Sequence, residues 1–328
     1  MPLKAFRQAL NEAMSEEMAR DETVFLLGEE VGEYNGAYKV SQGMLERFGH
    51  KRVIDAPITE NSFVGLGVGA ATVGMRPIIE VMTFNFAILA LDQIINNAAK
   101  MRYMSGGQLK CPMVIRGPNG SAHNLACQHS QALESFFVHV PGLKVVAPAT
   151  PADGKGLLKS AIRDDNPVIF LESETMYGFQ DEVPEGEYTI PIGLSNKVRD
   201  GGDVTIVTYS KALHLCLSVA ETLSKEHHVE ADIIDLRTLR PLDMGPVFES
   251  IAKTNRVVIV QDGWPHCGVA AEVSYRIMNE VFDELDAPPL RVTSDDIPMP
   301  YSTNLEKAAV PNAEKIIHAV KQVCYLDE

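Results

Sequence analysis

The sequence predicts an α/β protein of two doubly wound domains. Three observations carry that expectation. Short β-branched runs recur along the chain, helical stretches separate them, and the alternation is interrupted once, near residue 190. Near-continuous apolar strands alternating with helices mark a parallel sheet covered on both faces.

Taken in order, Leu3, Phe6, Leu10, Ala13, Met14 and Met18 follow helical spacing, and "TVFLL" (23–27) reads as a strand. "RVIDA" precedes a Gly/Ala-rich helical segment, "RPIIEVM" precedes a helical stretch from Phe86 to Tyr103, and "CPMVIRG" precedes one from Ser130 to His139. "LKVVAP", "ADGKGLLKSAIR" and "PVIFLE" continue the pattern. The stretch 179–202, "FQDEVPEGEYTIPIGLSNKVRDGG", is rich in Pro, Gly and charge and reads as the connection. The strands "DVTIVTYS", "HVEADIIDL", "RVVIVQDG" and "PLRVTS" follow, with helices between them and one after Asn312. The expected division is a first domain over 1–185, a linker over 186–202 and a second domain over 203–328.

Composition narrows the function. The 328 residues are 45% hydrophobic and 22% charged, with a net charge of −15. Nucleic acid and anionic membrane both call for basic patches, so neither is expected as a partner. No apolar run approaches the ~20 residues needed to span a bilayer. The amphipathic N-terminal stretch carries Glu12, Glu16 and Glu17 and resembles neither a signal nor a transit peptide, so a cytoplasmic protein is expected. Five scattered cysteines without a C-x-x-C pair read as free thiols. The nine histidines show no metal-site spacing, which argues against a protein-held transition metal.

In open α/β sheets the ligand crevice lies at the C-terminal ends of the strands. Those ends carry Glu60 after "RVIDAPIT", the aromatic "MTFNF" (82–86), and "RGPNG", with His129 in the loop beyond. Gly65-x-Gly67-x-x-Ala70 loosely fits a dinucleotide fingerprint, but it lies inside a helix rather than at a strand–helix turn. Close packing of the helix on the sheet is the simpler reading. Local sequence alone reads Glu60 as an exposed first-turn glutamate favoured by the helix dipole. It equally allows His129 as a structural histidine and "MTFNF" as core aromatics.

Longer collinear stretches are more specific. "VFLLGEEVGEYNGAYKVSQG", "RVIDAPITEN", "RPIIEVMTFNF", "DQIINNAAKMRYMSGG", "VIRGPNG", "CQHSQ", "DIIDLRTLRPLD" and "VVIVQDGWPHCGVAAEV" run almost end to end. Through them the chain resembles the β subunits of the decarboxylating component of 2-oxo-acid dehydrogenase complexes, most closely the pyruvate type. The resemblance implies an N-terminal pyrimidine-binding transketolase-like domain and a C-terminal transketolase-type domain. It also implies thiamine diphosphate as cofactor and oxidative decarboxylation of pyruvate, with acetyl transfer to a lipoyl domain. Branched-chain 2-oxo acids or acetoin are the alternative substrates, and a non-catalytic assembly subunit is a remote alternative. Ser62 stands where some family members have glycine.

By the same resemblance, Glu60 hydrogen-bonds N1′ of the aminopyrimidine, favouring the tautomer that takes the C2 proton of the thiazolium. Phe86 packs on the pyrimidine ring, Glu29 belongs to the cofactor site, and His129 faces the substrate end and assists acyl transfer. A structural potassium ion falls to Met113, Ala161, Ile162, Asp164 and Asn166, mainly through loop carbonyls. Magnesium in such enzymes sits on a G-D-G stretch, and none occurs here; "QDGW" (261–264) comes nearest. The chain is therefore expected to hold half of a cofactor site, with an α subunit holding the magnesium half in an α₂β₂ assembly. The second domain is expected to mediate β–β contact and docking on the dihydrolipoamide acetyltransferase core. From residue 196 onward 21 Asp and Glu stand against 13 Lys and Arg, so an acidic docking face near Asp295-Asp296 and a solvated acidic surface are both open.

Overall fold

In the computed structural model, which describes residues 1–326, the chain forms two compact units. The first comprises Met1–Asn119 and Phe136–Ile192, the second Gly120–Ser135 and the chain from Gly193 onward. Among the described residues no helix is long and apolar enough to cross a membrane.

The first unit opens with β1 (Leu3–Ala5), α1 (Phe6–Arg20) and β2 (Val24–Gly28). Then come α2 (Met44–Phe48), β3 (Val53–Asp55), α3 (Glu60–Thr72) and β4 (Arg76–Glu80). After a broken helical region, α4 (Ala99–Met104) leads to β5 (Val114–Pro118), β6 (Lys144–Val146), α5 (Pro151–Arg163) and β7 (Val168–Glu172). The strands lie in the order β6-β7-β5-β4-β2-β3, all parallel.

Both faces of this sheet are covered, and β4 shows how. Ile78 joins a core with Phe6, Leu10, Met14 and Met18 of α1 and Leu157 and Leu158 of α5. Its neighbour Ile79 points the other way, as successive strand residues must, and meets α3 at Gly67. A Cβ on Gly67 would come within 2.7 Å of Ile79 Cδ1, so this helical glycine sets how closely helix and sheet approach. The Gly/Ala-rich segment is thus a packing surface. On the other face α1 and α5 are also joined by ion pairs, with the buried Lys155 and Lys159 of α5 reaching Glu16 at 2.7 and 2.6 Å. Thr150 caps α5 by accepting from Asp153 N, and Pro151 sits in its first turn.

The second unit holds β9 (Asn196–Arg199), β10 (Val204–Thr208), β11 (Ala231–Asp235), β12 (Val257–Val260) and β13 (Leu290–Val292). Their order is β13-β12-β10-β11-β9, parallel except for the antiparallel edge strand β9. The helix expected after Asn312 runs over Ala313–Val323, with the Asn312 side chain capping it by accepting from Lys315 N at 3.0 Å.

Three local expectations are corrected, and the connection expected over 179–202 is found partly ordered. Leu3 lies in β1 rather than the first helix and is exposed, because β1 pairs antiparallel with β8 (Gln180–Glu182). That same β8, together with β9, gives the 179–202 stretch ordered strands. The segment 86–103 is not one helix: a turn at Phe84–Ala87 passes through a 3₁₀ turn to a π-helix over Asp92–Ala98. There the Asn97 side chain donates to the Asp92 carbonyl at 3.4 Å, a side-chain bond to the backbone of the same turn. The helix expected over 130–139 forms only at Glu134–Val138, because Gln131 is drawn into a backbone bond from Gly120 N.

The glycine packing predicts opposite outcomes on one helix. Gly67→Ala should destabilise the chain by about 1–3 kcal/mol through overpacking against Ile79. Gly69→Ala, whose added methyl meets nothing within 4 Å, should stabilise by about 0.5–1 kcal/mol. Denaturant midpoints of the two variants check both signs.

Candidate active site

The register of the parallel sheet brings charged residues level at its C-terminal edge. Gly28 is opposite both Asp55 and Glu80, and Glu80 is opposite Arg116. Arg116, on the strand between, is 1% exposed and bonds to Glu80 on one side and Glu172 on the other. The Tyr177 hydroxyl donates to Glu172 Oε2 at 2.7 Å, and the ring of Tyr38 packs 5.0 Å from that of Tyr177. The Tyr38 hydroxyl in turn donates to Glu174 Oε2 at 2.9 Å.

Burial works against the charge of Arg116, but the two facing carboxylates outweigh it and hold the guanidinium charged. Burial also drives the Glu80 carboxyl upward, against the pull of Arg116. Breaking a buried ion pair by removing one partner typically costs about 3–5 kcal/mol. One cation therefore ties three adjacent strand ends together while carrying two acids.

Glu29 follows β2 directly and is buried, and its Oε1 has no hydrogen-bond partner among the described residues. Burial, then the charges of Glu60 and Glu80, push its carboxyl up to about 7. The loop beyond it is pinned by Asp55, whose carboxylate accepts from Gly32 N at 2.6 Å and Glu33 N at 3.0 Å.

Glu60 is the first residue of α3 and is 5% exposed, so the exposed-glutamate reading fails. Its neighbours Asn61 and Ser62 do face solvent, which is why local sequence misleads here. Among the described residues no donor of this chain reaches the Glu60 carboxylate. Such a group is suited to a hydrogen bond from outside the chain. Phe86 is half-buried in the turn after β4, whereas Phe84 is fully buried and packs edge-on against Phe137 at 5.4 Å.

His129 belongs to the second unit. It is exposed, on a loop anchored by Asp262, which accepts from Ser121 N at 2.8 Å and from Ser121 Oγ at 3.0 Å. Lys211 donates to Ser121 O at 2.7 Å and lies 3.1 Å from Asp262. The aspartate of "QDGW" is thus engaged in holding the loop that bears His129.

Met113, Ala161, Ile162, Asp164 and Asn166 gather at the opposite edge of the first sheet, before β5 and β7. Met113 O accepts from Val168 N, Ala161 O from Asp164 N, and Ile162 O and Asp164 O from the Arg76 guanidinium at 3.1 Å. Among the described residues no group of three or more His, Cys, Asp or Glu side chains is placed to hold a metal ion.

Two family descriptions match the chain: "Transketolase, pyrimidine binding domain" over residues 4–180 and "Transketolase, C-terminal domain" over 193–316. The chain is 56% identical over 319 residues to the pyruvate dehydrogenase E1 component subunit beta of Rickettsia felis, covering 97% of this chain and 98% of the relative. The subunit so named from Rhizobium meliloti is 52% identical over 326 residues, covering 99% of this chain and 71% of the relative. The chain belongs to the family of pyruvate dehydrogenase E1 component β subunits.

The mitochondrial member from Caenorhabditis elegans is 52% identical over 321 residues, 96% of this chain and 91% of the relative. Among solved structures, one described as a split gene transketolase, inactive beta4 tetramer, superposes with a TM-score of 0.81 at 21% identity, covering 99% of both chains. Transketolase from Leishmania mexicana gives 0.72 at 14% identity, covering 99% of this chain and 46% of that one. These structural likenesses speak to the fold, which is the two-domain transketolase-like α/β architecture expected from the sequence. The family placement makes the first unit's strand-end edge the place to seek the pyrimidine site.

The cluster predicts a pH signature. Glu29 has a folded pKa of about 7 against an ordinary 4.5, so its protonated form contributes stability fully present below about 4.5. That contribution is lost as pH rises through about 7. Glu29→Gln should therefore match the parent chain at pH ~5 and exceed it in stability at pH ~8, as read from denaturant midpoints at the two pH values.

Proposed function

We propose that this chain is the β half of a thiamine diphosphate-dependent enzyme that decarboxylates pyruvate and passes the acetyl group to a lipoyl domain. The observation that carries the reading is the buried Glu60 carboxylate, which receives no hydrogen bond from the described chain and heads a helix in a pyrimidine-binding domain.

Thiamine diphosphate, when bound, supplies an electron sink for the pair left behind as carbon dioxide departs. Glu60 would hydrogen-bond N1′ of the aminopyrimidine and so govern where that ring holds its proton. Phe86 would pack on the ring. Glu29, whose carboxyl is pushed up to about 7 by burial and then by the charges of Glu60 and Glu80, would moderate the negative charge beside Glu60. His129 would serve the acyl transfer step, where an imidazole can both give and take a proton. Magnesium and the diphosphate would be held by a separate α subunit in an α₂β₂ assembly that docks on a dihydrolipoamide acetyltransferase core. The domain limits proposed are 1–185 and 203–328.

Two substitutions separate the roles, assayed on the complex with its α subunit. Glu60→Gln should lower decarboxylation, followed with an artificial electron acceptor, by about 10²–10⁴-fold. His129→Ala should leave that assay near normal and impair acetylation of a lipoyl domain. Unchanged turnover in Glu60→Gln would remove the catalytic role of this residue.

The carbonyls of Met113, Ala161, Ile162, Asp164 and Asn166 are hard oxygen donors of the kind potassium takes, and each accepting oxygen has a second lone pair. If potassium binds there, exchanging it for sodium should lower the melting temperature by a few degrees, on the order of 1 kcal/mol. Equal melting in the two salts would dismiss the site.

A further inference from the structure

One hollow of the first unit has a charge opposite to that of the chain as a whole. Its volume is about 440 Å³, and its walls include Lys4, Arg7, Gln8, Glu12, Lys39 and Gln42. Three cations face one acid, in a protein of net charge −15.

The single acid is already engaged. Glu12 accepts from Lys4 Nζ through both oxygens at 2.6 Å, and its Oε2 also accepts from Lys155 at 3.1 Å. Among the described residues the exposed Arg7 guanidinium has no hydrogen-bond or ion-pair partner. Among the described residues Lys39 donates only to the Tyr34 carbonyl, at 2.6 Å, with its ammonium 3.4 Å from the centre of the Tyr34 ring, and neither cation meets a carboxylate.

These charges also stand where a helix disfavours them. Lys4 and Arg7 flank the start of α1, whose first turn contains no acid, and the N-terminal end of a helix favours negative charge. The amides of Phe6 and Arg7 are taken by the carbonyls of Phe179 and Tyr177, so the binding groups of the hollow are side chains. Gln8 turns its Oε1 to Ala5 N at 3.0 Å, which leaves its amino group as a donor. Asn11 donates to Val40 O at 2.6 Å and to Gln42 O at 3.1 Å, which fastens the far wall to α1. The hollow is preformed, electropositive and short of an anion.

We propose that this hollow binds a small anion of the phosphate class, held by the fork of Arg7 and the ammonium group of Lys39. A guanidinium fork with a point charge beside it matches a dianionic tetrahedral group, and the volume suits a small phosphorylated molecule. The site is independent of the carboxylate cluster and of the function proposed above. Because Lys39 and Gln42 close the loop that begins at Glu29, an anion here also fixes that loop against α1.

Isothermal titration calorimetry of the full chain with inorganic phosphate and with pyrophosphate, at constant ionic strength in chloride, tests the proposal. The expected result is saturable one-to-one binding, weakened ~10-fold or more by Arg7→Gln and by Lys39→Gln. Lys315→Gln, which alters a paired lysine of the second unit, should leave it unchanged. Absence of saturable binding, binding indifferent to Arg7→Gln, or equal weakening by all three substitutions, which marks diffuse charge attraction, would each overturn it.

Discussion

The first unit depends on how one buried guanidinium meets the acids around it. Arg116 projects from the strand between those ending in Glu80 and Glu172, and it binds both. Two acids on one cation leave a surplus of negative charge in a buried place, and two further carboxylates, Glu29 and Glu60, lie at the same edge. Burial, and then the charges of Glu60 and Glu80, drive the Glu29 carboxyl upward. The edge thus combines an acid whose carboxyl is pushed up to about 7 with a buried carboxylate that meets no donor among the described residues.

The fold explains why these groups can stay there. Parallel strands set their ends level, so residues far apart in sequence become neighbours without any loop having to reach. The close approach of α3 through Gly67 delivers the first residue of that helix, Glu60, to the same edge. Rigid elements then carry these carboxylates, while the Asp55-pinned loop and the tyrosine pair hold the surrounding segment. Positioning by strands and helices is more exact than positioning by loops. The reverse edge of the sheet, with the carbonyls of Ile162 and Asp164 already receiving Arg76, is suited to a structural role.

Much of this was legible in the residues. The alternation of β-branched runs and helices predicted both parallel sheets, and the long collinear stretches pointed to the family. Arg116, Glu80 and Glu172 went unread as a group. Each was visible as a charge closing an apolar run, in "MVIR", "PIIE" and "VIFLE", but their meeting depends on strand order, which no local pattern encodes. Glu60 looked exposed because a first-turn glutamate is ordinarily a solvated one favoured by the helix dipole. The break at Asp92–Ala98 was hidden because the spacing of its apolar residues is helical. Asp262, in the stretch that comes nearest to a G-D-G, is an anchor for the His129 loop through its contacts to Ser121 and Lys211.

The central claim is that this chain carries one half of a shared cofactor site. Native mass spectrometry of the tagged chain purified from its own cells, with co-purifying chains identified, tests it most directly. The account predicts equal copies of this chain and a second chain bearing a G-D-G stretch, with thiamine diphosphate and magnesium retained by the assembly. A homo-oligomer of this chain alone that retains both would contradict it.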